Sequence, residues 1–368
     1  MHFTPIVESL PSVVPFVGPE TQERTRGRKF RARIGANESV FGPSPRAVEA
    51  MQHAATEVWK YGDPENYDLK QALAAFHGVG PQNIVVGEGI DGLFGYAVRL
   101  FVEPGVTVAT SLGAYPTFNF HVAGYGGRLV TVPYRDDRED PEALIALAKR
   151  EAARLIFFAN PDNPMASCWN AATVQWLIDS VPEGSVLCLD EAYSEFAPPG
   201  TTPAIDVSNP HVLRFRTFSK AHGMAGARIG YAIGEAELIQ SFDKIRNHFG
   251  VNRIAQIGAL ASLQDTAHLA GVVEKVAAAR ERIATIARAN GLKPLPSAAN
   301  FVTIDCCKDG AFARCVLSEL IARDVFVRMP GVSPLDRCIR VSAGLPSDLD
   351  AFEEVLPQAL SAAAGRRP

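Results

Sequence analysis

The 368-residue sequence lacks any long apolar run. Its longest apolar stretches, such as residues 155–159, are strand-sized, whereas a membrane-spanning helix needs roughly 18–20 apolar residues. The first twenty residues have no basic start and contain Glu8 and four prolines, unlike a secretory signal. We therefore expect a cytoplasmic protein without a membrane partner.

The sequence also lacks a strong surplus of charge of either sign. It has 36 Lys and Arg against 40 Asp and Glu, a formal net charge of −4. A nucleic-acid-binding protein usually shows a basic surplus, so we expect no nucleic-acid partner. The six cysteines contain no C-x-x-C pair, and no H-E-x-x-H motif occurs, so we expect reduced thiols and no metal site.

Short apolar runs and helical patterns alternate from about residue 80. We predict strands at residues 84–86, 106–110, 128–132, 154–160, 185–191, 212–218 and 229–234, with helices between them, as at 141–152 and 171–181. This alternation is typical of an α/β fold with a mostly parallel central sheet and helices on both faces.

The pattern changes near residue 235. A largely helical stretch ends at Gly291, and it is followed by a smaller α/β segment with strands at 301–305, 324–328 and 338–344 and helices at 310–323 and 348–363. We expect residues 36–250 to form a large α/β domain and residues 251–368 a smaller α/β domain. Residues 1–35 are then an N-terminal arm that packs with the small domain.

Polar residues follow several of the predicted strands. In open α/β sheets, ligands bind beyond the carboxyl ends of the strands, so these residues are candidates for one site. They are Asp91, Tyr115, Asn163, Asp190, Tyr193, Lys220 and Arg228.

Residues 217–231, TFSKAHGMAGARIGY, resemble the lysine segment of the fold-type I, pyridoxal-phosphate (PLP)-dependent aminotransferases. The segments at 37–45, 61–73, 160–164, 190–196 and 340–344 resemble further motifs of this family, in the same order. The similarity spans roughly residues 34–350 and is greatest to the class I/II branch that contains histidinol-phosphate aminotransferase. It implies the PLP-dependent transferase fold of type I, with PLP as cofactor.

The resemblance implies catalytic roles for Lys220, Asp190 and Tyr193. Lys220 holds the cofactor aldehyde covalently and then acts as a base, since a desolvated lysine has a lowered pKa. Asp190 pairs with the pyridinium nitrogen, which keeps the ring an electron sink. Tyr193 and Asn163 hydrogen-bond the ring 3-oxygen, and Tyr115 stacks on one face of the ring opposite Ala192.

The resemblance also implies a phosphate site at the start of a helix, where backbone N–H groups point outward. Its expected contacts are Gly89, Ile90, Asp91, Thr217, Ser219 and Arg228. The family pattern G-x-G-S-D-E reads G-E-G-I-D-G at residues 87–92, so backbone N–H groups are the expected donors there. Tyr61 matches a tyrosine that reaches the phosphate of the partner subunit, which implies a homodimer.

Three residues are expected to bind substrate. Arg340 resembles the arginine that binds the substrate α-carboxylate, since a guanidinium fork can bond both oxygens. Asn37 is expected to help close the site over the same group. Arg328 lies roughly where histidinol-phosphate enzymes have a second arginine for the substrate phosphate.

The resulting hypothesis is an aminotransferase that exchanges an amino group between L-histidinol phosphate and a 2-oxo acid such as 2-oxoglutarate. An aromatic or other amino acid as donor is the alternative within this class. A PLP-dependent amino-acid decarboxylase of the same fold is an alternative from another class. A cofactor-binding regulatory domain ranks last, because about 33 residues precede the matched region, too few for a DNA-binding segment.

Overall fold

The computed structural model describes residues 2–12 and 17–365. The α-helices of this part of the chain are α1 (Pro5–Ser9), α2 (Pro19–Arg26), α3 (Pro45–Ala55), α4 (Tyr67–His77), α5 (Gly89–Phe101), α6 (Pro116–Gly124), α7 (Pro141–Arg150), α8 (Ala171–Asp179), α9 (Ala236–Ser241), α10 (Arg253–Gln264), α11 (Thr266–Ala289), α12 (Gly310–Ala322) and α13 (Pro346–Gly365). The strands are β1 (Ala32–Arg33), β2 (Ile84–Gly87), β3 (Thr107–Ser111), β4 (Arg128–Val132), β5 (Leu155–Ala159), β6 (Val186–Asp190), β7 (Val212–Thr217), β8 (Gly230–Ile233), β9 (Lys293–Pro294), β10 (Phe301–Asp305), β11 (Val325–Phe326) and β12 (Cys338–Ser342).

The main sheet has seven strands in the order β2-β8-β7-β6-β5-β3-β4. Strand β8 runs antiparallel to both of its neighbours, and the other neighbouring pairs are parallel. The predicted mostly parallel α/β sheet is therefore confirmed. Each of its seven strands begins and ends within one residue of the predicted bounds.

Helices cover both faces of this sheet. The neighbours Phe157 and Phe158 on β5 point to opposite faces, as the alternation of a strand requires. Phe157 stacks on Phe118 of α6 with ring centroids 4.5 Å apart. Phe158 belongs to the cluster on the other face, with Leu144 of α7 and Leu177 of α8. The interior strands are buried on both sides, which is why they read as continuous apolar runs.

The order of strands in the sheet reverses between β3 and β5. The chain passes from β3 to the edge strand β4 and then crosses back to β5 on the other side of β3. The β3–β5 ladder consists of the pairs Val108–Leu155 and Ala109–Ile156, whereas β5 stays paired with β6 as far as Ala159. The carboxyl ends of β3 and β5 thus splay apart, and such a crevice is where α/β sheets bind ligands.

Two smaller sheets lie in the C-terminal third. Strand β10 pairs antiparallel with β12 and β9, and β11 pairs in parallel with β1 of the predicted arm. One apolar cluster joins β1 to α11, β10, α12, β12 and α13. Helix α10 packs instead in a cluster with α4, β2 and β8. The domain boundaries at residues 35 and 250 remain predictions, and residues 1, 13–16 and 366–368 lie outside the described residues.

Among the helices of the described residues, none has the length and apolar character needed to cross a membrane. All six cysteines are free thiols.

Candidate active site

The candidate residues meet at the carboxyl edge of the main sheet. Asp190 is the last residue of β6, Lys220 lies three residues after β7, and Asn163 lies in the turn after β5. Tyr115 precedes α6 beyond the end of β3, and Arg228 lies just before β8. Parallel neighbouring strands end at the same edge, so residues distant in the sequence become neighbours here.

Lys220 lies at the centre of this group. Its Nζ donates a hydrogen bond to the backbone oxygen of Asn37 at 3.1 Å and lies 5.6 Å from the ring centroid of Tyr193. Burial, followed by repulsion from the Arg340 guanidinium, lowers the pKa of the Lys220 amine to about 8, against the opposing effect of Asp190. An amine with this pKa is a usable base and nucleophile near neutral pH.

Asp190 is buried at the end of β6. Its Oδ1 accepts a hydrogen bond from the backbone N–H of Ala192 at 2.9 Å, which fixes the carboxyl group. Burial raises the pKa of Asp190 to about 7, and Lys220 opposes this rise. Burial also raises the pKa of the nearby Tyr115 hydroxyl, as do the charges of Asp91 and Asp190. A cationic group placed beside Asp190 would therefore restore its charge.

Asn37 links the N-terminal segment to the C-terminal sheet. Its φ of 56° is in the left-handed region, a strained conformation for a residue other than glycine. Its backbone N–H donates to Ser342 Oγ at 3.0 Å, and its Nδ2 donates to the Tyr193 hydroxyl at 3.1 Å. The Asn300 amide donates to the Asn37 carbonyl, which also accepts from Lys220. These contacts hold Asn37 and with it the Lys220 amine.

Asn300 and Ser342 contact Asn37 but were not among the predicted site residues. Ser342 lies within the segment R-V-S-A-G that carries the resemblance, and Asn300 directly precedes β10. A polar residue directly before or within an apolar strand is the only sign of these two residues in the sequence. That sign does not reveal their contacts with Asn37, which is distant in the sequence.

Arg340 projects from β12 into the site. Its Nη1 donates to Asn163 Oδ1 at 2.5 Å, and its guanidinium lies 5.2 Å from the ring centroid of Phe301. Its buried Nε has no hydrogen-bond partner among the described residues. Burial lowers the pKa of Arg340 to about 10. A buried guanidinium with an unused N–H is suited to an anionic ligand, which would satisfy both charge and donor.

Arg328 lies beside Arg340 because the backbones of the two residues are hydrogen-bonded to each other. The two residues form an antiparallel bridge, in which Arg340 N donates to Arg328 O at 2.6 Å. The Arg328 side chain donates to the carbonyl of Val17 in the arm at 3.0 Å. The structure therefore sets the two arginines next to each other, with Arg328 on the side of the N-terminal arm.

A cradle of donors lies at the start of α5. A Cβ added to Gly89, which has φ of +78°, would lie 2.6 Å from Arg228 Nη2, and one added to Gly230 would lie 2.9 Å from Ile90 N. The guanidinium and the helix N-terminus are thus close together, and only glycines allow it.

Thr217 and Ser219 are buried on the same edge, where the Ser219 N–H donates to Thr217 Oγ1 at 3.0 Å. The Asp91 Oδ1 lies 3.2 Å from His121 Nε2, so the imidazole is a partner of this carboxylate. The contact of Asp91 with a phosphate stays a prediction.

The altered loop at residues 87–92 has a local explanation. A Cβ added to Gly92 would lie 2.9 Å from Glu88 Cγ, so glycine leaves room for the Glu88 side chain. The Tyr96 hydroxyl donates to Glu88 Oε1 at 2.6 Å and accepts from the Asn247 N–H at 3.0 Å. The carboxylate thus anchors the residue 247 segment to α5.

Tyr61 lies apart from the other predicted residues. Its side chain is 79% exposed, and its ring centroid is 4.8 Å from that of Phe249. Val58 and Trp59 are also exposed, at 64% and 79%. Together these four side chains, Val58, Trp59, Tyr61 and Phe249, form an exposed apolar patch.

Known proteins match nearly the whole chain. The model of the family "Aminotransferase class I and II" matches residues 33–355. A crystal structure of histidinol-phosphate aminotransferase from Sinorhizobium meliloti in complex with pyridoxal-5'-phosphate superimposes with a TM-score of 0.95 at 54% identity, over 98% of this chain and 97% of that one.

Two relatives named histidinol-phosphate aminotransferase are similar over nearly the same length. The protein from Moorella thermoacetica is 32% identical over 96% of this chain and 92% of its own, and the protein from Roseiflexus castenholzii is 34% identical over 96% and 97%. Since the family model and both relatives cover far more than two thirds of the chain, this protein belongs to the class I and II aminotransferases.

Proposed function

We propose that this protein is a PLP-dependent aminotransferase that exchanges an amino group between L-histidinol phosphate and a 2-oxo acid such as 2-oxoglutarate. The observation that carries the proposal is the assembly of Lys220, Asp190 and Arg340 in one buried site. The match to the Sinorhizobium meliloti enzyme at 54% identity supports both the cofactor and the substrate.

The donor set fits PLP. The cofactor needs an amine for its aldehyde, a carboxylate for its ring nitrogen and a cradle for its phosphate. Lys220 supplies the amine and Asp190 supplies the carboxylate. The phosphate site would be formed by the Arg228 guanidinium and the start of α5, which lie close together at Gly89. The charges are complementary, because the phosphate would face the guanidinium and the helix N-terminus.

Bound PLP supplies an electron sink for the charge that develops when the substrate Cα loses its proton. Lys220, with a pKa of about 8, would take the proton from the substrate Cα and hold it at its Nζ for return during the transfer. Asp190 would hold the ring nitrogen in its protonated form. Tyr193 is oriented by Asn37, which donates to its hydroxyl.

Arg340 and Arg328 bind the anionic ends of the substrates. Histidinol phosphate carries a phosphate ester where an amino acid carries its carboxylate. The bridged pair presents two neighbouring guanidinium groups, which suits a dianionic phosphate as well as a carboxylate. Arg340 is also the residue that would bind the α-carboxylate of 2-oxoglutarate.

The test is a half-reaction screen on the PLP-loaded protein. Histidinol phosphate is expected to bleach the visible absorbance of the bound cofactor, and 2-oxoglutarate is expected to restore it. Phenylalanine, tyrosine and glutamate are compared at equal concentration. Faster bleaching by an aromatic amino acid would assign the alternative donor, and release of CO2 without an oxo product would contradict an aminotransferase.

We also propose that the protein is a cytoplasmic homodimer that uses its exposed apolar patch as part of the interface. Large exposed apolar patches usually mark interaction sites, and this one carries Tyr61. Trp59→Glu is expected to shift the protein from dimer to monomer in analytical ultracentrifugation and to weaken PLP retention. Trp176→Glu, which alters an exposed tryptophan outside the patch, is the control. A wild-type monomer with full activity would contradict the proposal.

A further inference from the structure

Glu139 is a buried carboxyl group that the proposed mechanism does not use. It lies between β4 and α7, and its side chain is 1% exposed. It occupies the crevice where the carboxyl ends of β3 and β5 splay apart. Oε1 accepts a hydrogen bond from the N–H of Ala159, the last residue of β5, at 3.0 Å. Oε2 accepts one from the hydroxyl of Ser111, the last residue of β3, at 2.7 Å.

These two hydrogen bonds lie where the ladder between β3 and β5 has ended. The β3–β5 pairing reaches only Ala109 and Ile156, so the Ala159 N–H has no strand partner on that side. A buried N–H without an acceptor is costly, and the Glu139 carboxyl group supplies one. Glu139 therefore bridges the crevice and satisfies the backbone N–H of Ala159.

Asp162 lies next to Glu139 in the turn that follows β5. Its Oδ1 accepts from the Tyr134 hydroxyl at 2.9 Å, and its Oδ2 accepts from the Met165 N–H at 3.1 Å. The Asp162 and Glu139 carboxyl groups lie close enough for each to affect the pKa of the other. The Asp162 carboxylate thus organises the turn that carries Asn163.

Burial shifts the pKa of both carboxyl groups. Burial, followed by repulsion from Asp162, raises the pKa of Glu139 well above its ordinary value. Burial raises the pKa of Asp162 to about 6, against hydrogen bonds from Tyr134 and Met165. Both effects on Glu139 favour its uncharged form. Asp162 and Tyr134 are the titratable groups that face it.

We propose that Glu139 is a positioning residue of the active site: its carboxyl group ties the end of β3 to the end of β5 and so fixes the turn after β5, in which Asn163 contacts Arg340. The chain of contacts is continuous, because Asn163 Oδ1 accepts the Arg340 hydrogen bond at 2.5 Å. The inference deepens the proposed function and rests on it, since Asn163 and Arg340 act there on cofactor and substrate.

The test compares Glu139→Ala with the neutral isostere Glu139→Gln in the PLP-loaded protein. Glutamine can still accept from the Ala159 N–H and donate to the Ser111 hydroxyl oxygen, so Glu139→Gln is expected to resemble the wild type. Glu139→Ala is expected to raise KM for the amino donor about tenfold, the effect of one lost hydrogen bond. It is also expected to shift the pH midpoint of the visible spectrum of bound PLP, because Asn163 is no longer held.

Tyr134→Phe is the second variant, in case Glu139→Ala does not fold. It removes one donor to Asp162 and is expected to raise KM in the same direction by a smaller factor. The proposal is overturned if Glu139→Gln is as impaired as Tyr134→Phe or Glu139→Ala. It is equally overturned if the variants lower only the thermal midpoint and leave KM and the spectrum unchanged.

The wild-type protein separates this inference from the proposed function. If it neither gains visible absorbance with PLP nor reacts with any amino donor, the proposed function fails. If the wild type gains the absorbance and reacts with an amino donor, but the variants leave KM and the spectrum unchanged or Glu139→Gln is as impaired as Glu139→Ala, only the positioning role of Glu139 fails.

Discussion

Lys220→Ala is expected to lower kcat by about 10⁴-fold or more, because the variant loses both the covalent attachment of the cofactor and the base. The Lys220 Nζ donates to the Asn37 carbonyl and lies 5.6 Å from the ring centroid of Tyr193, at the centre of the site. The variant is also expected to lose the visible absorbance band that the wild-type protein gains with PLP. Borohydride treatment of the wild type, followed by peptide mass mapping, should place the cofactor on Lys220.

Lys149→Ala is the matched control, since Lys149 is an exposed lysine in the last turn of α7. It is expected to keep wild-type activity and absorbance. A Lys220→Ala protein that keeps the band, or a cofactor mapped to another lysine, would contradict the assignment of Lys220.

Arg340→Gln is expected to lower kcat/KM for both substrates by about 30- to 5,000-fold, which corresponds to the roughly 2–5 kcal/mol associated with truncating one partner of a buried charge pair. The loss should lie mainly in KM, because the guanidinium binds the anionic end of the substrate rather than the reacting carbon. Steady-state kinetics with histidinol phosphate and 2-oxoglutarate measure the effect.

Arg340→Lys distinguishes the contribution of the positive charge to substrate binding from that of the guanidinium shape. It keeps the positive charge but loses the fork that bonds Asn163 and the substrate together, so a partial recovery is expected. Arg314→Gln is the control, since it alters an exposed arginine paired with Asp336. Unchanged KM in Arg340→Gln would assign substrate binding to Arg328 or to another group.

The fold and much of the site could be predicted because their signals are local. Apolar runs such as 155–159 mark interior strands of a sheet that is covered on both faces. The polar residues that follow them, among them Asp190 and Lys220, are brought together by parallel pairing alone. Arg340, on an antiparallel strand of another sheet, was predicted from its resemblance to the substrate-binding arginine of the family.

The residues that were missed act through contacts across the fold. Ser342 reaches Asn37 over 305 positions of sequence, and nothing near either residue indicates the pairing. Glu139 reads as a charge in a polar loop, yet it fills a crevice that exists only because β3 and β5 diverge. Gly92 stands where the family pattern has a glutamate. The sequence does not show that this glycine leaves room for the Glu88 side chain, which only the structure reveals.

The long separation between Asn37 and Ser342 has a consequence for how the enzyme matures. The strands of the main sheet all lie within residues 84–233, so the sheet and Lys220 can assemble while the rest of the chain is still being synthesised. Asn37 gains its Ser342 contacts only after β12 has emerged and paired with β10. Nascent chains would therefore contain a formed sheet before they contain a complete site. Termination or cleavage between α10 and β12 would leave a chain that has every strand of the main sheet, the helix α10 that packs on it and Lys220, but that lacks Arg340 and the contact that fixes Asn37.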